Sequence, residues 1–193
     1  MQTYIFRLMC LLIALFVSAC DQSHNDLADS TLKNAGSEQY PLLGWSELTP
    51  ENWDEMALLK DFDLSNMEDD DPRAFELLKD VRKVWNNAPV NQGLDGKAVT
   101  IHGYVAPLDS DGRHVKTFLL VPYFGACIHS PPPPSNQVVY VNVAGNGIPL
   151  NGWDAFVAVS GTLVVAHTGS ELGTAGYQMK ADIVKPFADT IDP

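Results

Sequence analysis

The sequence predicts a mainly β domain with helices on its N-terminal side, an α+β fold whose simplest form is a small five-stranded OB-like barrel. A small β-sandwich is the alternative. Three observations support this prediction. Apolar residues alternate with a period of two from Lys97 onward. Turn-forming residues separate the alternating segments, and Gly103 and Gly161 lie inside strands at points where a barrel strand could bend.

Length and charge narrow the class of protein. The chain has 193 residues, of which 46% are hydrophobic and 19% are charged, so it can bury the core of one domain and still carry tails. It contains 12 Lys and Arg against 24 Asp and Glu, which gives a formal charge of −12. A chain this acidic has no broad basic surface for phosphates, so nucleic acid is not an expected partner.

Residues 1–19 are predicted to be an export signal. Arg7 precedes an apolar run over residues 8–17 that is too short to span a membrane comfortably. The following Val17-Ser18-Ala19-Cys20 resembles the lipobox of bacterial lipoproteins, in which the cysteine is diacylated and becomes the mature N-terminus. An ordinary signal peptide with a chance cysteine is the alternative. We therefore expect Cys20 to carry acyl chains such as palmitate and to anchor the protein to a membrane.

Residues 20–39 are predicted to be the lipidated cysteine and a flexible tether, because they are polar and show no periodicity. The expected location is the bacterial cell envelope, with the domain facing the periplasm. Asp21 favours the inner membrane, since an Asp directly after the lipidated cysteine resembles the retention signal of enteric bacteria.

Residues 40–92 are predicted to form two helices that pack on the barrel. Thr49-Pro50-Glu51 supplies a capping residue, a first-turn proline and an early acid for the first helix. Asp71-Pro72 begins the second. Its apolar residues recur at helical spacing: Ala74, Leu77, Leu78, Val81, Val84 and Trp85. The acidic run over residues 68–71 lacks the alternating oxygen spacing of a calcium loop and is interpreted as a solvated loop with capping acids.

Residues 93–189 are predicted to form the barrel domain. The five expected strands cover residues 99–105, 115–121, 137–143, 155–165 and 176–184. Turn signals separate them at residues 109–112, at the proline run, at residues 144–147 and at residues 168–173. The long proline-rich loop between the second and third strands is the segment of greatest functional interest, because loops of that length are more often functional than short ones.

Cys127 and His129 form the one motif in the sequence that predicts a specific chemistry. Cys10 leaves with the predicted signal and Cys20 is lipidated, so Cys127 is the single thiol expected in the mature chain. In an extended chain residues i and i+2 share a face, which points the sulfur and the imidazole the same way. A thiolate with an imidazole suits zinc or copper. The alternative is a buried cysteine and a histidine that hydrogen-bonds the proline loop.

Two ligands do not hold a metal tightly, so a third side chain is needed. The candidates are His102, Asp109, His114, His167 and Glu171. His102 is preferred because it precedes the expected strand bend at Gly103 and could reach over the barrel mouth. Asp109 is next, since it lies at the end of the same strand. Zinc is the expected cofactor.

Catalysis is not expected. The sequence contains no Gly-x-Ser-x-Gly, His-Glu-x-x-His, Cys-x-x-Cys, phosphate loop or dinucleotide fingerprint. A thiol-dependent enzyme with Cys127 as nucleophile and His129 as base is the minority alternative. The main alternative is a metal-free interaction module that docks its proline loop and barrel face on an inner-membrane ABC-type permease or another envelope complex.

Residues 118–141, FLLVPYFGACIHSPPPPSNQVVYV, resemble the signature of an uncharacterised family of bacterial exported proteins, domain of unknown function three-two-nine-nine. The resemblance extends over residues 94–187 and includes GYVAPL at 103–108 and AGYQM at 175–179. It implies no established activity. It does imply an accessory role in metal handling, through links of some members to ABC-type permeases and zinc-starvation responses. Ser130 departs from the small apolar residue expected after the Cys-Ile-His run, without touching the ligand pair.

Overall fold

The computed structural model describes residues 39–60, 71–126, 132–149 and 156–186. Its strands are β1 (Ala98–Ser110), β2 (His114–Val121), β3 (Val139–Val143), β4 (Ile148–Pro149), β5 (Phe156–Gly169) and β6 (Thr174–Pro186). Its α-helix is α1 (Pro72–Asn86), and short 3-10 helices cover Trp45–Leu48, Ala57–Leu59, Gln92–Leu94 and Ser135–Gln137. The predicted signal, Cys20, most of the tether, Cys127 and His129 lie outside the described residues.

The strands form one mixed sheet in the order β1-β5-β6-β3-β2-β4, and β1 pairs with β2 as well as with β5. The pairs are antiparallel, except that β3 runs parallel to β6. The prediction of a mainly β fold is confirmed. Within the described residues, no helix is long and apolar enough to cross a membrane.

The alternation of apolar residues predicted where the longer strands lie. The observed bounds of the strands differ from the predicted bounds at a few places for local reasons. β3 begins two residues later than predicted because Ser135–Gln137 forms a 3-10 turn. β1 continues to Ser110 through a bulge between Pro107 and Asp109, which absorbs a register shift against β2. The two-residue β4, which pairs with the start of β2, was not predicted.

The first predicted helix is wrong. Residues 49–56 form turns, followed only by the 3-10 helix Ala57–Leu59. The Trp53 N–H donates to the Pro50 carbonyl at 3.1 Å, which closes a turn in place of a helical register. The Asp54 carboxylate then accepts the Met56 N–H at 3.0 Å. Such local bonds from an Asp side chain compete with helix formation, so the capping signal at Thr49 has no helix to cap.

The second predicted helix is confirmed as α1. Asp71 is its N-cap, and its carboxylate accepts the Arg73 backbone N–H at 2.8 Å. Pro72 occupies the first turn, where a missing N–H costs nothing. Leu77 and Val81 are buried on one side of the helix.

The cap of α1 should make acid stability depend on Asp71. The Arg73 side chain and then the Arg73 N–H hold the pKa of the Asp71 carboxyl below its ordinary value. The stabilisation is therefore present above the unfolded carboxyl's pKa and is lost as pH falls through the lower folded pKa. Thermal unfolding followed from neutral to acid pH should show a shallower loss in Asp71→Asn, which caps without titrating. Parallel curves for the two proteins would contradict this assignment.

The main core lies on one face of the sheet. Its buried members are Leu43, Leu48, Val90, Val99, Ile101, Val105, Val115, Phe118, Leu120, Val139, Val141, Val157, Val159, Leu163, Tyr177, Met179 and Ala181. In β1 these are the odd-numbered residues, as the period of two requires. Gly103 occupies one such position because a Cβ there would lie 2.7 Å from the Val121 carbonyl oxygen and 2.9 Å from the Trp45 ring.

Buried hydrogen bonds hold the segment before α1 and the segment after it against the sheet. The Tyr177 hydroxyl, fully buried on β6, donates to the Leu48 carbonyl at 2.6 Å and accepts the Asn91 N–H at 2.6 Å. Burial raises the pKa of Tyr177, so the hydroxyl keeps the proton that it donates. Gln137 adds a second link by donating to the Trp45 carbonyl at 2.9 Å. These bonds fix the frame from which the proline-rich loop extends.

Candidate functional site

The connection from β2 to β3 begins on a second buried cluster, on the face of the sheet opposite the main core. Its buried members are Leu119, Val121, Ala126, Val138 and Ala175, and Tyr104, Ala106, Leu108, Tyr140 and Leu172 pack against them. In β1 these are even-numbered residues, so they project away from the main core. Ala126, only 1% exposed, directly precedes Cys127 in the chain. The chain therefore reaches the Cys-x-His motif from a fixed, buried residue.

The other end of the motif is fixed as well. Pro133, Pro134, Ser135 and Asn136 are buried. The Ser135 hydroxyl donates to the Ala88 carbonyl at 3.4 Å, and the Asn136 side-chain amide donates to the Pro89 carbonyl at 2.9 Å. The proline run thus leads into a segment that is hydrogen-bonded to the connection after α1. Residues 127–131 are covalently bounded by these two anchored stretches.

Asn136 carries an unsatisfied buried acceptor. Its side chain is fully buried, and its Oδ1 atom has no hydrogen-bond partner in the part of the chain that the structure describes. Leaving a buried polar atom unpaired costs on the order of 1–3 kcal/mol. An N–H or O–H donor that reaches this atom would remove that cost. The sequence analysis did not identify Asn136, because an asparagine in a proline-rich loop is usually an exposed turn residue.

His102 lies on β1 on the same face as the second cluster. It is half-buried opposite Ala158 of β5, and its ring centroid is 6.5 Å from that of Phe156 in an edge-on arrangement. Two residues further along, the Tyr104 ring lies 4.8 Å from Phe156 and 5.9 Å from Phe124. This series of ring contacts connects His102 with the start of the β2–β3 connection. The structure therefore places His102 on the side of the sheet where Ala126, the residue before Cys127, is buried.

Asp109 lies elsewhere. It is exposed and pairs with Thr117 near the β1–β2 hairpin. At about 3.3 Å per residue, seven residues of extended strand separate it from His102 by roughly 20 Å. The structure does not bring these two predicted ligands together.

The other candidate ligands occupy separate places. His114 lies in the β1–β2 hairpin, where its Nδ1 is 3.6 Å from the Asp111 carboxylate. Backbone N–H groups of His114 and Arg113 hold the pKa of Asp111 below its usual range. His167 lines a cavity of about 400 Å³ between the end of α1 and the β5–β6 hairpin.

Glu171 lies at the tip of the β5–β6 hairpin, directly before Leu172 of the second cluster. Asp109 directly follows Leu108 of the same cluster, and His102 lies two residues before Tyr104. Among the described ranges, no three His, Cys, Asp or Glu side chains are close enough to hold a metal ion. A metal site built on His102 or Glu171 therefore needs ligands from outside the described residues.

Comparisons with known proteins point to one family. No curated protein matches the chain. A solved DUF3299 family protein from Pseudomonas aeruginosa PAO1 is 36% identical, with a TM-score of 0.59, and the match covers 77% of this chain and 96% of that one. A putative aspartyl-tRNA synthetase from Leishmania major Friedlin is 15% identical over 49% of this chain and 18% of its own, and its TM-score of 0.33 supports no conclusion.

The family assignment rests on most of the chain. Residues 45–186 match the family model described as "Protein of unknown function (DUF3299)". That range includes α1, all six strands and the proline-rich loop. The membership implied by residues 118–141 is confirmed: this chain belongs to the DUF3299 family.

Proposed function

We propose that this protein is a membrane-anchored envelope lipoprotein that binds a transition metal, zinc in the first place, as an accessory to metal transport or homeostasis. Cys127 and His129 are the first two ligands and His102 is the third. The observation that carries the proposal is the burial of Ala126, the residue before Cys127, in the second cluster, on the side of the sheet that holds His102.

Restriction of the loop favours binding. Ala126 is buried immediately before the motif, and the buried Pro133–Asn136 stretch follows it. A short segment between two fixed ends loses less conformational entropy on ordering than a free loop does. The fold thus reduces the conformational entropy that is lost when the thiolate and the imidazole are brought together.

The residues present suit zinc. Thiolate and imidazole are the ligands that zinc prefers in structural sites. A histidine that binds a metal usually donates its other ring N–H to a carbonyl or carboxylate, which fixes the ring orientation. The unsatisfied Oδ1 of Asn136, seven residues after His129, is an acceptor of the required kind. Asp109 is not part of the proposed site, because the register of β1 places it at the far end of the strand.

The strand pairings support an OB-like barrel as the scaffold. β1 pairs with both β5 and β2, so the succession β1-β5-β6-β3-β2-β1 returns to its start. A sandwich of two separate sheets would not require this double pairing of β1. The parallel contact of β3 with β6 and the antiparallel remainder suit a five-stranded Greek-key barrel. In such a barrel the second cluster and His102 lie on the outer surface.

The anchor and location remain part of the proposal. A lipid on Cys20 and the tether to residue 39 would keep the domain near the periplasmic face of the inner membrane. A domain held there has a raised effective concentration toward membrane partners, which suits an accessory of an ABC-type permease or another metal transport component.

Replacing His102 tests the third ligand. We expect His102→Ala to weaken zinc binding by about tenfold or more, because loss of even an outer partner of a metal site costs 10–100-fold. Competition titration of the purified protein against a chromogenic zinc chelator measures this. His114→Ala, which removes a histidine from the distant hairpin, is the matched control. If His102→Ala binds zinc as tightly as the wild type and Glu171→Gln binds it more weakly, Glu171 is the third ligand. If both variants bind zinc as tightly as the wild type, the third ligand does not come from the face of the second cluster.

A metal-free interaction module is the second candidate function. Tyr123 and Phe124 are 52% and 55% exposed at the start of the proline-rich loop, and aromatic residues are enriched in protein interfaces. In this view the loop docks on a permease or another envelope complex. Crosslinking in membranes separates the two functions: capture of the partner that survives removal of the Cys127 and His129 side chains favours docking without metal.

A further inference from the structure

A cavity of about 670 Å³ lies next to the segment after α1. It is lined by Asn91 and Leu94 of that segment and by six residues of the stretch 46–52. Protein cavities that bind small molecules typically measure about 300–1,000 Å³. This cavity therefore has room for a small organic ligand, and His102 of the proposed zinc site does not line it.

The two segments that line the cavity are tied to each other by hydrogen bonds. The Asn91 side-chain amide donates to the Glu47 carbonyl at 3.0 Å. The buried Tyr177 hydroxyl contacts both segments, since it donates to the Leu48 carbonyl and accepts the Asn91 N–H. A ligand that enters the cavity meets walls that are already in place, which reduces the entropy lost in ordering them.

The lining offers hydrogen-bond acceptors and negative charge. The carboxylates of Glu47 and Glu51 line the cavity, and no Lys, Arg or His of the described residues does. The Asn91 side chain is already engaged, because its amide donates to a carbonyl and its Oδ1 accepts the backbone N–H two residues later. Ser46 and Asn52 also line the cavity and can donate or accept. The cavity therefore favours a ligand with N–H donors and positive charge, and it disfavours a phosphate or a carboxylate.

Both carboxylates are available to a ligand. Glu47 uses Oε2 to accept the Gly44 N–H at 2.7 Å, and this neutral donor leaves the charge and the Oε1 atom of the carboxylate in place. Neither Glu47 nor Glu51 forms an ion pair with another described residue. A cation that enters the cavity thus displaces no lysine or arginine of the described ranges.

The composition of the lining suits an organic cation better than a metal ion. Among the described residues, no three His, Cys, Asp or Glu side chains are close enough to hold a metal. Pro50 and Leu94 add apolar surface to the same cavity. An aliphatic chain can lie along such a surface while its ammonium groups reach the carboxylates.

We propose that this cavity binds an aliphatic polyamine, with one ammonium group on Glu47 and another on Glu51. The proposal does not depend on zinc binding, because it uses none of the zinc ligands proposed above. A lysine side chain of a partner protein has related chemistry but carries a single ammonium group, so the number of ammonium groups that the cavity recognises distinguishes the two sources.

Isothermal titration calorimetry of the purified full chain with spermidine, in about 0.15 M salt, tests the proposal. We expect one binding site for spermidine. N-acetyl-lysine amide should bind at least about threefold more weakly, because it offers one ammonium group to two carboxylates. Equal affinity for the two compounds would overturn the assignment to a free polyamine.

Two substitutions with the same net charge separate binding in the cavity from general attraction to an acidic protein. Glu51→Gln removes a carboxylate from the lining, and we expect the affinity for spermidine to fall about three- to fivefold. Glu55→Gln removes the same charge from an exposed residue that does not line the cavity, so its affinity should stay close to that of the wild type. An equal loss of affinity in the two variants overturns the proposal, as does a wild-type protein that binds no spermidine.

Discussion

Replacing Cys127 with serine and His129 with alanine together should weaken zinc binding by at least about 100-fold. Each ligand of a zinc site contributes directly to the affinity, and a factor of 100 corresponds to only about 2.7 kcal/mol. The measurement is competition titration of the purified mature protein with a chromogenic chelator, together with metal analysis after gentle preparation.

The matched control for this pair is Ser130→Ala. It changes the residue next to His129 without removing a ligand, so its affinity should equal that of the wild type. The same zinc affinity in the double variant and in the wild type would contradict the proposal, as would a wild-type protein with no zinc or copper above background.

Removing one buried hydroxyl should destabilise the fold. In Tyr177→Phe the Leu48 carbonyl and the Asn91 N–H each lose their short bond to the hydroxyl and keep only the longer bond between them, at 3.4 Å. Because that bond leaves both groups poorly satisfied, the free energy of unfolding should fall by on the order of 1–3 kcal/mol. Urea denaturation measures this as a lower midpoint with an unchanged slope.

Tyr140→Phe is the control for removing a tyrosine hydroxyl that has no hydrogen-bond role. Tyr140 is half-buried against the second cluster, and its hydroxyl makes no hydrogen bond within the residues described. Its loss should change stability by no more than about 0.5 kcal/mol. A Tyr177→Phe protein as stable as Tyr140→Phe would contradict a role of the Tyr177 hydroxyl in holding the segments before and after α1.

Local patterns were enough to predict five of the six described strands and α1. Alternation in β1 separates Ile101 and Val105 from His102 and Tyr104, and the structure places the two pairs on opposite faces. The same reasoning failed at Asp54, where one side-chain bond to the Met56 N–H sets the local conformation. A capping signal identifies where a helix can start and does not show that the following residues continue it.

The candidate site was harder to predict, because it depends on register and burial. Sequence alone ranks Asp109 beside His102, while the continuation of β1 to Ser110 keeps the chain extended between the two residues and separates them along the strand. The unsatisfied Asn136 oxygen becomes visible only when the connection after α1 packs over the proline loop. Contacts between segments distant in sequence create both features, and no periodicity encodes them.

X-ray absorption at the zinc edge tests the central claim most directly. If Cys127 and imidazoles bind the metal, the zinc-loaded protein should show one sulfur neighbour at about 2.3 Å and nitrogen neighbours at about 2.0–2.1 Å. The sulfur shell should vanish in Cys127→Ser while the nitrogen shell remains. A spectrum of the wild-type protein with only nitrogen and oxygen neighbours would contradict the thiolate–imidazole site.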